Sequence, residues 1–234
     1  MVHGAPMTPP DLRLQAGPHA FVDDLEAPVL ADDDRHHLAR ALRLRDGDAF
    51  TLSDAQGRWR AARFGDTIEP TSELYTPRVA PYRLGLGVAL TKAAKPEIAV
   101  QKATEIGIDD VVVFESERSV ARWDQKKRLR NEERLQKVAR EAAMQSRRVT
   151  IPTVRVLPDL VSLLPVAGLA RADFGGVPTN SSHRFVLVGP EGGWSERERG
   201  AVPAVVDLGP TVLRAETAAV VASSFLVTSR ASPA

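Results

Sequence analysis

The chain has 234 residues, a formal net charge of +1, 43% hydrophobic residues and no cysteine. This length accommodates one large domain or two modest ones, and a chain without cysteine forms neither disulfides nor thiolate metal sites. Because no apolar run reaches membrane-spanning length and the N-terminus lacks the order of a signal peptide, we expect a cytoplasmic protein without a membrane partner.

The small net charge hides a strongly basic segment. Residues 1–80 carry 9 basic and 13 acidic side chains, whereas residues 118–148 carry 11 basic and 4 acidic ones. A local net charge of +7 favours an acidic partner for this segment.

The first third of the chain reads as a small, mostly β unit. Residues 1–18 are rich in Pro, Gly and Ala without periodicity, which predicts a disordered extension. Asp32, Asp33 and Asp34 predict the N-cap and first turn of a helix that reaches Leu42. Strands are predicted at residues 19–22, 49–53, 58–64 and 67–75.

The remainder alternates strands with helices. The first three elements form a β-α-β unit, with a strand at residues 84–90, a helix from Pro96 to Ile106 and a strand at residues 111–114. Such a unit predicts a parallel sheet. Asp124 caps a long helix to about Ser146. Further strands are predicted at residues 154–156, 169–172, 185–188 and 205–208, and a last helix at residues 216–229.

The long helix separates an apolar stripe from a basic face. For any single cation on that face, a solvated helix surface is the simplest interpretation. As a group, these cations favour the interpretation of the face as an RNA-binding surface. Its members are Lys126, Lys127, Arg130, Arg134, Lys137 and Arg140, together with Arg118, Arg122, Arg147 and Arg148.

Two glycine-bearing turns follow the last two predicted strands. The first contains GPEGG at residues 189–193, and Ser195 with Glu198 then forms a capping box. The second contains Gly209 and Pro210. In parallel sheets, ligands bind where strands end, so these turns predict a ligand site.

GPEGG followed by LGPTVLRAETA at residues 208–218 resembles the cofactor end of the SPOUT methyltransferases, and most closely the RsmE family. Residues 95–107 match the pattern K-x-E-x-x-x-Q-K-x-x-E-x-G of that family, and His37 to Arg43 match H-x-x-x-x-LR. Arg147 stands where the family has glycine in Q-S-G-R. Members methylate a uridine of small-subunit ribosomal RNA at the ring nitrogen N3, with S-adenosylmethionine as cofactor.

The resemblance implies an α/β fold in which a SPOUT-type trefoil-knotted parallel-sheet domain follows a small PUA-like β-barrel. The expected bounds are 1–18 for the extension, 19–76 for the PUA-like RNA-binding domain and 77–234 for the methyltransferase domain. It also implies a homodimer with 16S ribosomal RNA as its partner, within the 30S subunit.

The resemblance also implies site residues, and no metal site is expected. The implied cofactor-binding residues are Val188, Gly189, Pro190, Glu191, Gly192, Gly193, Leu208, Gly209, Leu213, Arg214 and Thr217. The implied catalytic residues are Arg214, Glu216 and Arg148. The implied RNA-binding residues are Arg40, Arg43, Lys95, Arg118, Arg122, Arg147 and Arg148.

Several roles stay open at this point. Arg214 either contacts the target nucleotide or the cofactor carboxylate, or forms a salt bridge with Glu216 or Asp207. Glu191 and Glu216 are both available as a base for the uracil proton. Arg147 and Arg148 either bind an RNA phosphate or cap the preceding helix.

The resulting hypothesis is a uridine-N3 methyltransferase of 16S ribosomal RNA. One alternative keeps the fold and changes the target to transfer RNA or another rRNA site. The other is an RNA-binding or ribosome-assembly factor without turnover.

Overall fold

The computed structural model describes residues 15, 17–76, 80–91 and 96–231, and the chain forms two compact units. In the described residues, the first unit runs to Ala80 and includes residues 143–151, and the second comprises residues 81–142 and those from Pro152 onward. The domain bounds given above stay predictions. Of the predicted extension, residues 1–14 and 16 lie outside the described residues.

The first unit is built on a small mixed sheet. In the described part of this unit, strands β1 (His19–Phe21), β2 (Ala49–Ser53), β3 (Trp59–Arg63) and β4 (Glu69–Pro70) lie side by side in that order. β1 runs parallel to β2, and the later pairs are antiparallel. Leu38, Phe50 and Leu52 belong to the apolar core of this unit.

Two predictions for this unit are wrong in detail. Helix α1 spans Asp32–His36 and continues as a π-helical turn over His37–Ala41, and its N-cap is Ala31 rather than an aspartate. The three aspartates instead occupy the first turn, where their charge suits the helix dipole. The strand predicted over residues 67–75 contains only the two residues of β4 and an isolated bridge at Tyr75.

His19 is buried in β1 between two hydroxyl groups. Its Nδ1 and Nε2 lie 2.9 Å from Thr51 Oγ1 and Ser53 Oγ. Burial, followed by the positive charge of Arg147, lowers the pKa of His19 from 6.5 to about 4. This histidine is therefore a neutral, hydrogen-bonded core residue at neutral pH.

We expect the first unit to lose stability as the pH falls below 6.5. Between pH 6.5 and 4 the unfolded state binds a proton at His19 that the folded state does not bind, so the free energy of unfolding falls. From pH 7 to pH 5 the loss is about 2 kcal/mol. Urea denaturation at pH 7 and pH 5 measures this loss in the free energy of unfolding. The variant His19→Gln retains hydrogen-bonding groups but does not titrate, so we expect the loss to be absent in it. An equal loss in the variant would assign the effect to another group.

The second unit carries a parallel sheet, as predicted. Among the described residues it contains six strands in the order β10-β8-β9-β5-β6-β7, and every pair is parallel. The strands are β5 (Gly85–Ala89), β6 (Asp110–Phe114), β7 (Thr153–Leu157), β8 (Leu169–Val177), β9 (Phe185–Val188) and β10 (Val205–Val206). The strands β10, β8 and β9 are thus neighbours at one edge of the sheet.

In the described residues, four α-helices accompany this sheet. They are α2 (Pro96–Ile106), α3 (Gln125–Gln145), α4 (Glu196–Ala201) and α5 (Ala215–Ala231). Helix α5 packs against α2, β5 and β9, so its first residues are held close to the ends of the central strands. Every residue of β5 and β9 is buried, as expected for the centre of such a sheet. No helix in the described ranges is long and apolar enough to span a bilayer.

Helix α3 ends in a Schellman motif whose central residue is an arginine. The N–H of Arg148 donates to the carbonyl of Ala143 at 2.9 Å, and that of Arg147 to the carbonyl of Met144 at 3.2 Å. Arg147 has a φ of +54°, a conformation that favours glycine. The backbone of both arginines thus caps the helix, while the Arg147 side chain donates to the Gln15 carbonyl.

We expect Arg147→Gly to be more stable than Arg147→Ala by about 1 kcal/mol. Both variants lose the side-chain bond to Gln15, but only glycine adopts the positive φ without strain. Paired thermal denaturation of the two variants measures the difference. Equal stability would contradict the assignment of strain to this position.

Candidate functional site

The loop after β9 is shaped by two glycines and closed by a capping box. This cofactor loop comprises residues 189–194, and Gly193, at φ +69°, donates its N–H to the Pro190 carbonyl at 2.9 Å. Ser195 then caps α4 by accepting the N–H of Glu198, whose carboxylate accepts the N–H of Ser195. The predicted turn and capping box are both confirmed.

Gly189 lies directly against an indole ring. A Cβ at this position would lie 2.9 Å from the ring of Trp194, closer than real contacts allow. That ring is fixed from two other sides, since Trp194 Nε1 donates to the Ala172 carbonyl at 2.9 Å and the ring stacks with Phe114. The loop backbone therefore follows a path that only glycine allows at residue 189.

A second loop runs from Asp207 to Arg214, between β10 and α5. Gly209 has a φ of +130° and donates its N–H to the Asp207 carboxylate at 2.9 Å. The Arg214 carbonyl accepts the N–H of Ala218 at 2.8 Å, which starts α5. Helix α5 thus begins directly beside this loop.

The two loops enclose an open cleft of about 230 Å³ at the carboxyl ends of β9 and β10, beside residues 172–174 in the middle of β8. Most of the exposed lining is apolar. The lining residues are Ala172, Asp173, Phe174, Val188, Gly189, Pro190, Glu191, Gly193, Trp194, Asp207, Leu208, Gly209, Thr211, Val212, Leu213, Ala215 and Ala218.

Most of the predicted cofactor-binding residues lie in this cleft. Those that line it are Val188, Gly189, Pro190, Glu191, Gly193, Leu208, Gly209 and Leu213. Gly192, Arg214 and Thr217 do not line it. Gly192 instead faces Arg118, since a Cβ on it would lie 3.4 Å from Arg118 Cβ.

The sequence analysis did not predict that β8 forms one wall of the cleft. The predicted strand ended at Ala172, but β8 continues to Val177 and places Asp173 and Phe174 in the cleft. Trp194 was also missed. An indole directly after GPEGG is a signal that could have been noticed, whereas the position of β8 between β9 and β10 depends on long-range pairing.

The predicted catalytic residues belong to both units of the chain. Arg214 is exposed beside the cleft, and among the described residues its guanidinium has no hydrogen-bond or ion-pair partner. The salt bridges weighed above are therefore not formed within that part of the chain. Glu216 is half-buried in the first turn of α5, and Arg148 belongs to the first unit.

The predicted RNA-binding residues are divided between the two units. Arg40, Arg43, Arg147 and Arg148 belong to the first unit, where Arg40 and Arg43 are exposed. Arg118 and Arg122 are exposed in the second unit, on the segment between β6 and α3. Lys95 lies outside the described residues.

The cleft fits S-adenosylmethionine by its chemistry. Gly193, where a Cβ would meet nothing within 4 Å, allows the backbone to approach a ligand closely. Leu208 and Leu213 offer apolar walls for an adenine ring. Asp173 and Glu191 are the carboxylates of the lining besides Asp207. The carboxylate of Asp173 already pairs with Arg171 and Arg199, whereas Glu191 is exposed. Glu191 is therefore better placed to face the positive sulfonium and amino groups of S-adenosylmethionine.

Two family models identify the chain as an RNA methyltransferase. The family model described as the RNA methyltransferase domain matches residues 78–227, and the one described as the RNA methyltransferase PUA domain matches residues 30–66.

Curated relatives specify the family further. The ribosomal RNA small subunit methyltransferase E of Mycobacterium bovis is 33% identical over 219 residues, covering 83% of each chain. That of Bacillus subtilis is 29% identical and covers 86% of this chain and 90% of its own. The chain belongs to the ribosomal RNA small subunit methyltransferase E family.

A solved structure agrees with this assignment. The ribosomal RNA small subunit methyltransferase E of Neisseria gonorrhoeae, bound to S-adenosylmethionine, matches with a TM-score of 0.75 and 26% identity. The match covers 90% of this chain and 97% of that one. The predicted family, the SPOUT-type fold class with a PUA-like domain, the methyltransferase activity and the cofactor are thereby confirmed.

Proposed function

We propose that this protein transfers the methyl group of S-adenosylmethionine to N3 of one uridine in 16S ribosomal RNA. The observation that carries the proposal is the cleft between two glycine loops, at the ends of β9 and β10 and beside the middle of β8. Its lining brings together most of the residues that the family motifs predict for the cofactor. The names of the relatives supply the target class, small-subunit ribosomal RNA.

The protein's part in the reaction is mainly to position and to stabilise charge. S-adenosylmethionine supplies a methyl group on a sulfonium, which is already activated for transfer. The uracil imide nitrogen becomes nucleophilic only when its proton leaves. A cation beside the uracil stabilises the resulting anion. The guanidinium of Arg214 can supply it at the cleft edge, since it is exposed and has no partner among the described residues.

Glu191 is the better placed of the two candidate bases. It lines the cleft, whereas Glu216 does not and is half-buried in α5. We therefore assign acceptance of the uracil proton to Glu191. Single-turnover rates test the choice: Glu191→Gln slows methyl transfer more than Glu216→Gln, and the reverse order would refute it.

Exposed cations supply the surface for the RNA backbone. On α3 the exposed members are Lys126, Lys127, Arg130, Arg134 and Lys137. Arg134 also forms an ion pair with Glu97. Arg118 and Arg122 extend this basic character to the loop before α3. Because phosphate contacts release counterions, we propose binding that weakens steeply with salt.

Three further features belong to the proposal. We propose a homodimer, which the exposed apolar side chains of Phe174, Val212 and Phe225 support. We propose the 30S subunit as the physical form of the substrate, and the cytoplasm as the location, because small-subunit ribosomal RNA is found there within ribosomal particles.

Methyl transfer from labelled S-adenosylmethionine tests the proposal. The acceptors are 30S subunits and naked 16S ribosomal RNA, both from a strain that lacks the modification, with transfer RNA as the control acceptor. We expect label in the 16S RNA, and more with 30S subunits than with naked RNA. Label in transfer RNA alone would identify transfer RNA as the substrate. Cofactor binding without any methyl transfer would support the non-catalytic alternative.

A further inference from the structure

A buried carboxylate joins the helix after the cofactor loop to a second loop. Glu198 of α4 is only 4% exposed and uses both of its oxygens. Oε2 accepts the N–H of Ser195, and Oε1 accepts the N–H of Glu117, each at 3.0 Å. The capping box explains the first bond only. The second bond holds the arginine loop, residues 115–123 between β6 and α3, against α4.

Arg118 links the same two regions directly. Its Nη1 donates to the carbonyl of Gly192, in the middle of the cofactor loop, at 3.2 Å. The two backbones are close, since a Cβ on Gly192 would lie 3.4 Å from Arg118 Cβ and 3.5 Å from the Arg118 carbonyl oxygen. An ion pair between Arg197 and Glu117 at 3.1 Å adds a third connection. The arginine loop is therefore bonded to α4 through Glu198 and Arg197, and directly to the cofactor loop through Arg118.

Arg118 can hold a phosphate without releasing Gly192. A guanidinium has five N–H donors in a planar fork, and the bond to Gly192 uses one of them. The side chain is exposed, so the other edge of the fork is accessible to an RNA backbone. One side chain can thus contact both the RNA and the loop that shapes the cofactor cleft.

We propose that Arg118 and Glu198 couple RNA binding to cofactor binding in this protein. A phosphate that immobilises Arg118 also restrains Gly192, so the glycine-rich loop loses less conformational freedom when the cofactor binds. Coupling of this kind is reciprocal, so the cofactor strengthens RNA binding by the same factor. The inference rests on the proposed function, because it takes S-adenosylmethionine and RNA as the two ligands.

The test measures the affinity for one ligand in the presence and in the absence of the other. The dissociation constant of S-adenosylhomocysteine, which cannot transfer a methyl group, is determined calorimetrically with and without saturating 16S ribosomal RNA transcript. In the wild type we expect about fivefold tighter binding with RNA, the lower end of usual coupling between sites. In Arg118→Gln we expect the two dissociation constants to be equal.

Arg122→Gln is the matched control. Arg122 lies in the same loop and carries the same charge, but its guanidinium donates to the Ser116 and Glu117 carbonyls, at 2.7 and 3.0 Å, and not to the cofactor loop. Both variants lose one cation and bind RNA more weakly. Only Arg118→Gln loses the coupling, whereas Arg122→Gln retains it.

Glu198→Gln tests the buried link independently. The amide accepts one backbone N–H but not both, so we expect reduced coupling, with thermal denaturation confirming that the variant is folded at the assay temperature. Equal dissociation constants in the wild type, or coupling that persists unchanged in Arg118→Gln, would overturn the inference. Failure of the wild type to bind S-adenosylhomocysteine or RNA at all would instead overturn the proposed function.

Discussion

Arg214→Ala lowers kcat for methyl transfer by about 10²–10³, the usual cost of removing one preorganised charge from a reaction that develops an anion. The guanidinium is exposed at the edge of the cleft, and the described residues give it no partner. Because Arg214 does not line the cleft, we expect the dissociation constant of S-adenosylhomocysteine to stay near the wild-type value. Single-turnover kinetics and calorimetry separate the two quantities.

Arg214→Lys serves as the charge-preserving control for this prediction. Lysine keeps the positive charge but not the planar fork, so we expect partial recovery of kcat relative to alanine. If Arg214→Ala and Arg214→Lys are equally slow, the geometry of the guanidinium, rather than its charge, is required. An Arg214→Ala enzyme with normal kcat and weakened cofactor binding would contradict the catalytic role and favour contact with the cofactor carboxylate.

Gly189→Ala weakens cofactor binding by about one to two orders of magnitude. The added methyl group would meet the Trp194 ring at 2.9 Å, and that ring cannot retreat without losing its bond to the Ala172 carbonyl. Overpacking of this kind costs about 1–3 kcal/mol. All three residues line the cleft, so we expect the distortion to appear in the dissociation constant of S-adenosylhomocysteine.

A double-mutant cycle with Trp194→Phe isolates this contact. Phenylalanine removes part of the ring that the new methyl group meets, together with the bond from Nε1. We expect Gly189→Ala to be much less harmful in the Trp194→Phe background than in the wild type. Additive effects would show that the clash with the ring is not the cause. Gly193→Ala is a further comparison, since that position has a positive φ and no close neighbour for a Cβ.

Local signals in the sequence predicted the elements that carry the site. Four consecutive apolar residues predicted β9, which is buried along its whole length. The S-x-x-E spacing predicted the capping box of α4, and Pro96 with Gly107 predicted the limits of α2. These signals depend on neighbouring residues only, so they can be read without knowledge of tertiary contacts.

The parts that were missed depend on contacts that are distant in sequence. The second half of β8 reads Asp173-Phe174-Gly175-Gly176-Val177, which has no strand-like periodicity. It is held as a strand because Gly176 packs against the backbone of β10 and Asp173 pairs with Arg199. Long-range packing therefore determined the wall of the cleft.

The identity of the methylated nucleoside tests the central claim most directly. Small-subunit RNA from the reaction with 30S subunits is digested to nucleosides and analysed by mass spectrometry, with Arg214→Ala enzyme in parallel. We expect 3-methyluridine with the wild type and a strongly reduced amount with the variant. A methylated base other than 3-methyluridine, or a methylated ribose, would contradict the account.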